Sequence, residues 1–158
     1  KNLTEAIVCD RDCGAINVAK NHNIRNLLLE SSSGKEFGNK IQQLYQTDNV
    51  IFISFYTKLL DKTFLSKHKG RVFNCHPTLL PSFKGLNGED ENLDSDYLFM
   101  GCTLHEIDEF VDSGKPVMQA AMPVDISLNK SQNRHKIFLS QFYLLLEIFL
   151  LPRLYHLY

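Results

Sequence analysis

The chain has almost no surplus of either charge: 17 Lys and Arg stand against 18 Asp and Glu, a formal net charge of −1. Without a basic surplus, nucleic-acid binding through phosphate neutralisation is not expected. Paired cysteines are also lacking. Cys9, Cys13, Cys75 and Cys102 form no C-x-x-C motif, and no histidine stands near Cys9 and Cys13 to complete a zinc site. Four reduced thiols are expected, and with them a cytoplasmic setting. The longest apolar stretch, Phe142–Leu151, is too short to cross a bilayer and is followed by Pro152 and Arg153. It reads as a buried C-terminal helix, so no membrane partner is expected. No secretory signal is read in the polar Lys1–Glu5, and there is no internal repeat or low-complexity tract.

What is present suits one domain over residues 1–158. The hydrophobic fraction is 44% and the charged fraction 22%, ordinary for a globular protein. A chain of this length buries roughly two-thirds of its unfolded surface. Ala6–Cys9, Arg25–Glu30 (around Leu27, Leu28 and Leu29), Val50–Phe55 and Arg71–Asn74 read as short buried strands. Between them, Ala15–Asn21, Lys35–Gln46 and Lys62–Lys67 read as helices. Phe37, Ile41, Leu44 and Tyr45 share one face of the second, Ser31–Gly34 supplies capping residues before it, and Asp61 caps the third. Strand alternating with helix predicts an α/β fold with a parallel sheet. After Pro81 the acidic Gly85–Tyr97 reads as a loop. Gly101–Ile107 and Val117–Met122 read as strands, Asp108–Gly114 as the connection between them, and Asn133–Tyr158 as a helix interrupted near Pro152.

Chemistry in open α/β sheets sits beyond the carboxyl ends of strands. Asn74 and His76 fall at such an end, and two residues apart on an extended segment they share a face. An amide donor beside an imidazole can hold a developing oxyanion and move a proton. An Asn-x-His pair alone is also what an ordinary loop contains. Asp112 is the natural carboxylate partner for His76, with Asp108 and Glu109 competing for that place. Leu79–Gly85 reads either as a wall for a flat ligand or as a plain connection. His105, between Leu104 and Ile107, is expected to pack or to orient a neighbour. His22, His68, His135 and His156 read as surface residues. Ser31-Ser32-Ser33-Gly34-Lys35 lacks the frame of a phosphate loop. No metal-ligand cluster is visible, so no metal is expected.

Several segments together resemble the formyltransferases that use 10-formyltetrahydrofolate. Gly70-Arg71-Val72-Phe73-Asn74-Cys75-His76-Pro77-Thr78-Leu79-Leu80-Pro81-Ser82-Phe83-Lys84-Gly85 is similar to the family's G-R-x-x-N-x-H-P-S-L-L-P-x-[FY]-x-G. Gly101–His105, Asp112-Ser113-Gly114 and Pro116–Gln119 are similar to its G-x-[ST]-[VL]-H … D-x-G-x-x-[IV]-x-Q. The branch acting on glycinamide ribonucleotide is the most similar, through Leu79–Gly85 and Gln119–Val124. The resemblance covers about Ala6 to Val124.

It implies a Rossmann-like three-layer sandwich with a mostly parallel sheet. It implies an enzyme moving a formyl group from 10-formyltetrahydrofolate to a small-molecule primary amine, that of glycinamide ribonucleotide in purine biosynthesis. An amino-sugar N-formyltransferase, a formyltetrahydrofolate hydrolase and a non-catalytic folate-binding relative are the alternatives. Asn74 would contact the formyl oxygen, His76 would donate a proton or face the oxyanion, and Asp112 would hold His76. Tyr56, Thr57 and Leu59, with Glu106, Ile107, Asp108 and Val111, would form the pterin slot.

The departures are specific. The family's first strand and Gly-Ser-rich phosphate loop have no counterpart, since Ala6–Cys9 matches the family's second strand. The domain is thus expected to be N-terminally incomplete relative to the family, its sheet left with unpaired edges. Ser54-Phe55-Tyr56-Thr57-Lys58 stands where the branch has Gly-Phe-Met-Arg, and the Asp112–Pro116 connection is one residue longer. The 87–96 loop lacks the usual basic and histidine residues, and Gln141-Phe142 stands near the place of an acidic-His pair.

Overall fold

The computed structural model describes residues 4–46 and 50–150, the last two by their backbone alone. The sequence reading around Pro152 and His156 lies outside them. Strands and helices alternate as β1 (Ile7–Cys9), α1 (Gly14–Asn21), β2 (Asn26–Leu28), α2 (Gly34–Leu44), β3 (Phe52–Ser54), α3 (Lys62–Lys67), β4 (Val72–His76), α4 (Gly88–Leu93), β5 (Phe99–Glu106), β6 (Pro116–Pro123) and α5 (Lys130–Leu150).

The local signals act where the sequence places them. Ser33 caps α2 by accepting from the Glu36 amide at 3.2 Å, while the Glu36 carboxylate accepts from the Ser32 amide at 2.9 Å. Asp61 caps α3 through the Thr63 amide at 2.9 Å. The face of α2 is narrower than its pattern predicts: Phe37, Ile41 and Tyr45 are buried, but Leu44 is 48% exposed. The acidic stretch read as a loop contains α4. Glu89, Asp90 and Glu91 sit in its first turn, where negative charge complements the helix dipole. Lys130 and Arg134 of α5 pair with Asp90 from the other side.

The parallel arrangement predicted from alternation holds for the first four strands. β1 pairs with β2 and β3 with β4, both in parallel. β5 and β6 are added antiparallel, giving the order β3-β4-β5-β6. The nine residues between β5 and β6 are too few for a parallel crossover, which needs a dozen or more. β1 and β2 form a separate two-stranded sheet. Among the described residues the sheet is thus in two pieces, with an unpaired edge at β1 and another at β3.

Side-chain alternation sorts the core into two layers. Phe73 and Cys75 of β4, with Met100, Cys102 and Leu104 of β5, pack on Ile137, Leu144 and Ile148 of α5. On the opposite face Val72 joins Phe37, Ile41, Phe64 and Leu65, with Val8, Leu29 and Phe52 against them. The second layer spans both sheet pieces. α5 is buried on one face only, not throughout as its apolar run suggests: Phe138, Leu139, Phe142 and Tyr143 are exposed. His68, read as a surface residue, is buried between the rings of Phe52 and Phe64. Its place just after the short α3 turns it inward.

Candidate active site

β4 runs two residues further than its apolar pattern indicates, through His76. The period of two that sends Phe73 and Cys75 into the α5 layer sends Asn74 and His76 to the other face. Opposite them in the antiparallel register stand His105 and Thr103 of β5.

Four polar side chains meet there. The Asn74 amide nitrogen lies 3.3 Å from His105 Nε2. Nδ1–H of His105 donates to the Glu106 carbonyl at 3.0 Å, which leaves Nε2 to accept from Asn74. Asp112 stands between the two imidazoles, with Oδ2 3.3 Å from His76 Nδ1 and Oδ1 3.6 Å from His105 Nε2. Nε2 of His76 faces the Phe83 carbonyl at 3.0 Å. Both ring nitrogens of His76 therefore face oxygen acceptors, and both bonds form only when each nitrogen carries a hydrogen. Burial is the first cause holding the His105 imidazole below the ordinary histidine range. Its bond to the Glu106 carbonyl and the charge of Asp112 oppose that without overcoming it.

The loop carrying Asp112 is shaped by its backbone. Asp112 has φ +46°, a left-handed conformation that carries strain in a non-glycine residue. Two residues on, a Cβ on Gly114 would fall 1.7 Å from the Glu106 carbonyl oxygen, so only glycine lets the loop fold back here. Asp108 accepts from the Phe110 amide and the Ser113 hydroxyl at 3.0 and 2.7 Å, which closes its own turn, and Glu109 is exposed. Of the three carboxylates that compete in sequence, Asp112 is the one that reaches His76.

The segment after β4 wraps over this cluster. The Gly85 amide donates to Asp112 Oδ2 at 2.8 Å, and the Phe83 carbonyl accepts from the Thr78 hydroxyl as well as from His76. Thr103 fixes the root of the segment by donating to the Thr78 carbonyl and accepting from the Leu80 amide. Gln119 on β6 donates to both the Leu80 carbonyl and the Thr103 hydroxyl. These bonds hold the segment fixed over the cluster, which both sequence readings of Leu79–Gly85, wall and plain connection, accommodate.

The residues expected to line a slot lie on two flanking loops. Thr57 and Leu59 after β3 and Val111 after β5 are exposed, Ile107 and Asp108 are half-buried, and Glu106 accepts from the Gly70 amide at 2.6 Å. The Tyr56 ring points elsewhere: it stacks on Phe37 at 4.8 Å in the second core layer, so the main chain is what this residue can offer a ligand. An open cleft of about 430 Å³ lies beside Pro77, lined by Glu89, Arg134, His135, Phe138 and Gln141 among others. Neighbours of the Asn74, His76 and Asp112 trio line it, and the trio itself does not. Glu89, raised above the usual carboxylate range by burial against the pull of Arg134, is the residue of this cleft that sequence pattern missed. No motif marks it.

The family model described as formyl transferase matches residues 9–142. The chain belongs to the formyl transferase family. The bovine trifunctional purine biosynthetic protein adenosine-3 is 36% identical over 85 residues, 54% of this chain and 8% of that protein. The phosphoribosylglycinamide formyltransferase of Haemophilus influenzae is 34% identical over 76 residues, 48% of this chain and 36% of that one. The chain thus spans a minor part of these relatives. Among solved structures, the phosphoribosylglycinamide formyltransferase of Brucella melitensis aligns with TM-score 0.77 at 26% identity, covering 91% of this chain and 78% of that one. The enzyme from Streptococcus pneumoniae TIGR4 reaches 0.80 at 24% identity, covering 91% and 83%, which establishes the formyl transferase fold: a Rossmann-like α/β sandwich.

Proposed function

We propose that this formyl transferase domain moves the formyl group of 10-formyltetrahydrofolate to the primary amine of glycinamide ribonucleotide. The observation that carries this reading is the convergence of an amide, an imidazole and a carboxylate from β4 and the β5–β6 loop. The two 34–36% identical relatives named above, one a purine biosynthetic protein by name and the other a phosphoribosylglycinamide formyltransferase, support the acceptor.

The donor supplies a formyl carbon open to attack by an amine. Asn74 offers its amide hydrogens where charge grows on the formyl oxygen. His76, held by Asp112 on one nitrogen, supplies or takes up the proton that the exchange of amines requires once Phe83 releases its other nitrogen. Asp112 keeps the ring oriented through its contact with Nδ1. Exposed Leu59 and Val111, on the loops that follow β3 and β5, suit the faces of a flat heterocycle, with Thr57, Ile107, Asp108 and the Tyr56 main chain completing the slot. The side chain of Glu106 is engaged with Gly70, so its part is structural support.

The test is a spectroscopic assay of 10-formyltetrahydrofolate turnover with glycinamide ribonucleotide, an aminosugar nucleotide or water alone. Turnover only with the first is expected, falling about a hundredfold or more in His76→Ala and in Asp112→Asn. Turnover with either other acceptor, or wild-type rates in both variants, would overturn the assignment.

A further inference from the structure

At the carboxyl end of β1, away from the His76 cluster, two sulfurs meet. Cys9 is the last residue of β1 and Cys13 is the residue preceding the first turn of α1. The loop between them turns back so that their Sγ atoms stand 3.6 Å apart. A disulfide needs about 2.05 Å, so the two sulfurs must draw together by a further ~1.5 Å. The two thiols differ in accessibility, since Cys9 is 8% exposed and Cys13 half-buried. Neither serves the chemistry proposed above.

We propose that Cys13 and Cys9 form a site of reversible oxidation by low-molecular-weight disulfides, Cys13 as the attacking sulfur and Cys9 as the resolving one. The Cys13 thiolate attacks one sulfur of the small disulfide. A Cys13–S bond forms as the S–S bond breaks, and the other half leaves as a thiolate. Cys9 then loses its proton to solvent, its sulfur attacks Cys13 Sγ, and the second half departs. Two protein thiols are oxidised to one disulfide, and one small disulfide is reduced to two thiols.

The surroundings divide the roles in this order. The amide of Ala15 at the head of α1, then Cys9, then the amide of Ile16 and the charge of Arg11 all favour the Cys13 thiolate. Burial and the neighbouring Cys13 push the Cys9 thiol up to about 11, so it waits for the mixed disulfide. Asp10 next to Cys9 is occupied by Lys58 at 2.9 Å and Arg11 at 3.1 Å. The other two cysteines, Cys75 and Cys102, are fully covered by the α5 layer and out of reach of a soluble oxidant.

The full chain is incubated with excess oxidised glutathione, quenched in acid, and weighed intact and after digestion. The expected wild-type product is lighter by two hydrogens and carries a linked Cys9–Cys13 peptide without retained glutathione. Cys9→Ser should stop with one glutathione on Cys13, and Cys13→Ser should take up none at Cys9. A wild-type chain without the linked peptide, or Cys9→Ser unmodified at Cys13, would overturn the proposal. Alkylation of Cys13 by iodoacetamide in the unmutated chain gives a readout that no folding defect can confuse. Its rate should be half-maximal below pH ~8.5, the ordinary thiol value, and a midpoint at or above that value would sink the assignment of Cys13 as attacker.

Discussion

His105 shows how one buried side chain ties stability to the geometry of the site. Burial holds its imidazole below the ordinary range, so the folded chain prefers the neutral ring that accepts from Asn74. The unfolded chain binds that proton near pH ~6.5. The stability linked to this residue is therefore complete above that pH and is lost as pH falls through the lower folded value. Denaturant titrations between pH 7.5 and 5 should show the wild type losing stability more steeply than His105→Asn; equal slopes would refute the linkage. At this scale much was legible. The period of two alone places Asn74 and His76 on one face. The family resemblance, not periodicity, singles out Asp112 over Asp108 and Glu109, because periodicity is blind to the left-handed turn that brings Asp112 to His76. His68 reads as a surface residue for a related reason: a histidine outside an apolar run gives no sign that it fills a gap between Phe52 and Phe64.

At the scale of elements, the β5–β6 loop has no room for a single added methyl group. In Gly114→Ala the new Cβ meets the Glu106 carbonyl, which is fixed by strand pairing, so the loop must yield. Overpacking of this kind costs about 2 kcal/mol, or a melting temperature lower by roughly 4–8 °C at this chain length. Formyl transfer should fall further than the lost stability explains, because Asp112 moves with the loop. Melting curves and initial rates on the same preparation check both, and a variant that melts lower but keeps wild-type turnover would show that Asp112 tolerates displacement. Strand and helix identities were mostly readable from runs and caps. α4 was not, since its six residues carry no apolar stripe and depend on Lys130 and Arg134, which lie far along the chain.

At the scale of the whole molecule, the two sheet pieces are held unequally. β1 and β2 share three residue pairs, whereas β5 is flanked on both sides by longer partners. Small two-stranded units open more readily than strands buried in a sheet. Native-state hydrogen exchange should therefore find amides of β1 and β2 exchanging well before those of β4 and β5, and uniform protection would contradict this. The break between the pieces was foreseeable from the family's unmatched first strand. The reversal of direction at β5 was not, because the connection from β4, with α4 inside it, is long enough for a parallel crossover and gives no sign that the chain turns back. That reversal has a kinetic consequence. Asn74 and His76 lie on one strand, and Asp112 follows the strand opposite. The three meet only after β4 and β5 have zipped in register, and a slip by one residue would turn both β4 side chains to the wrong face. During refolding, catalytic competence should emerge with this long-range pairing and not with the earlier gain of helix.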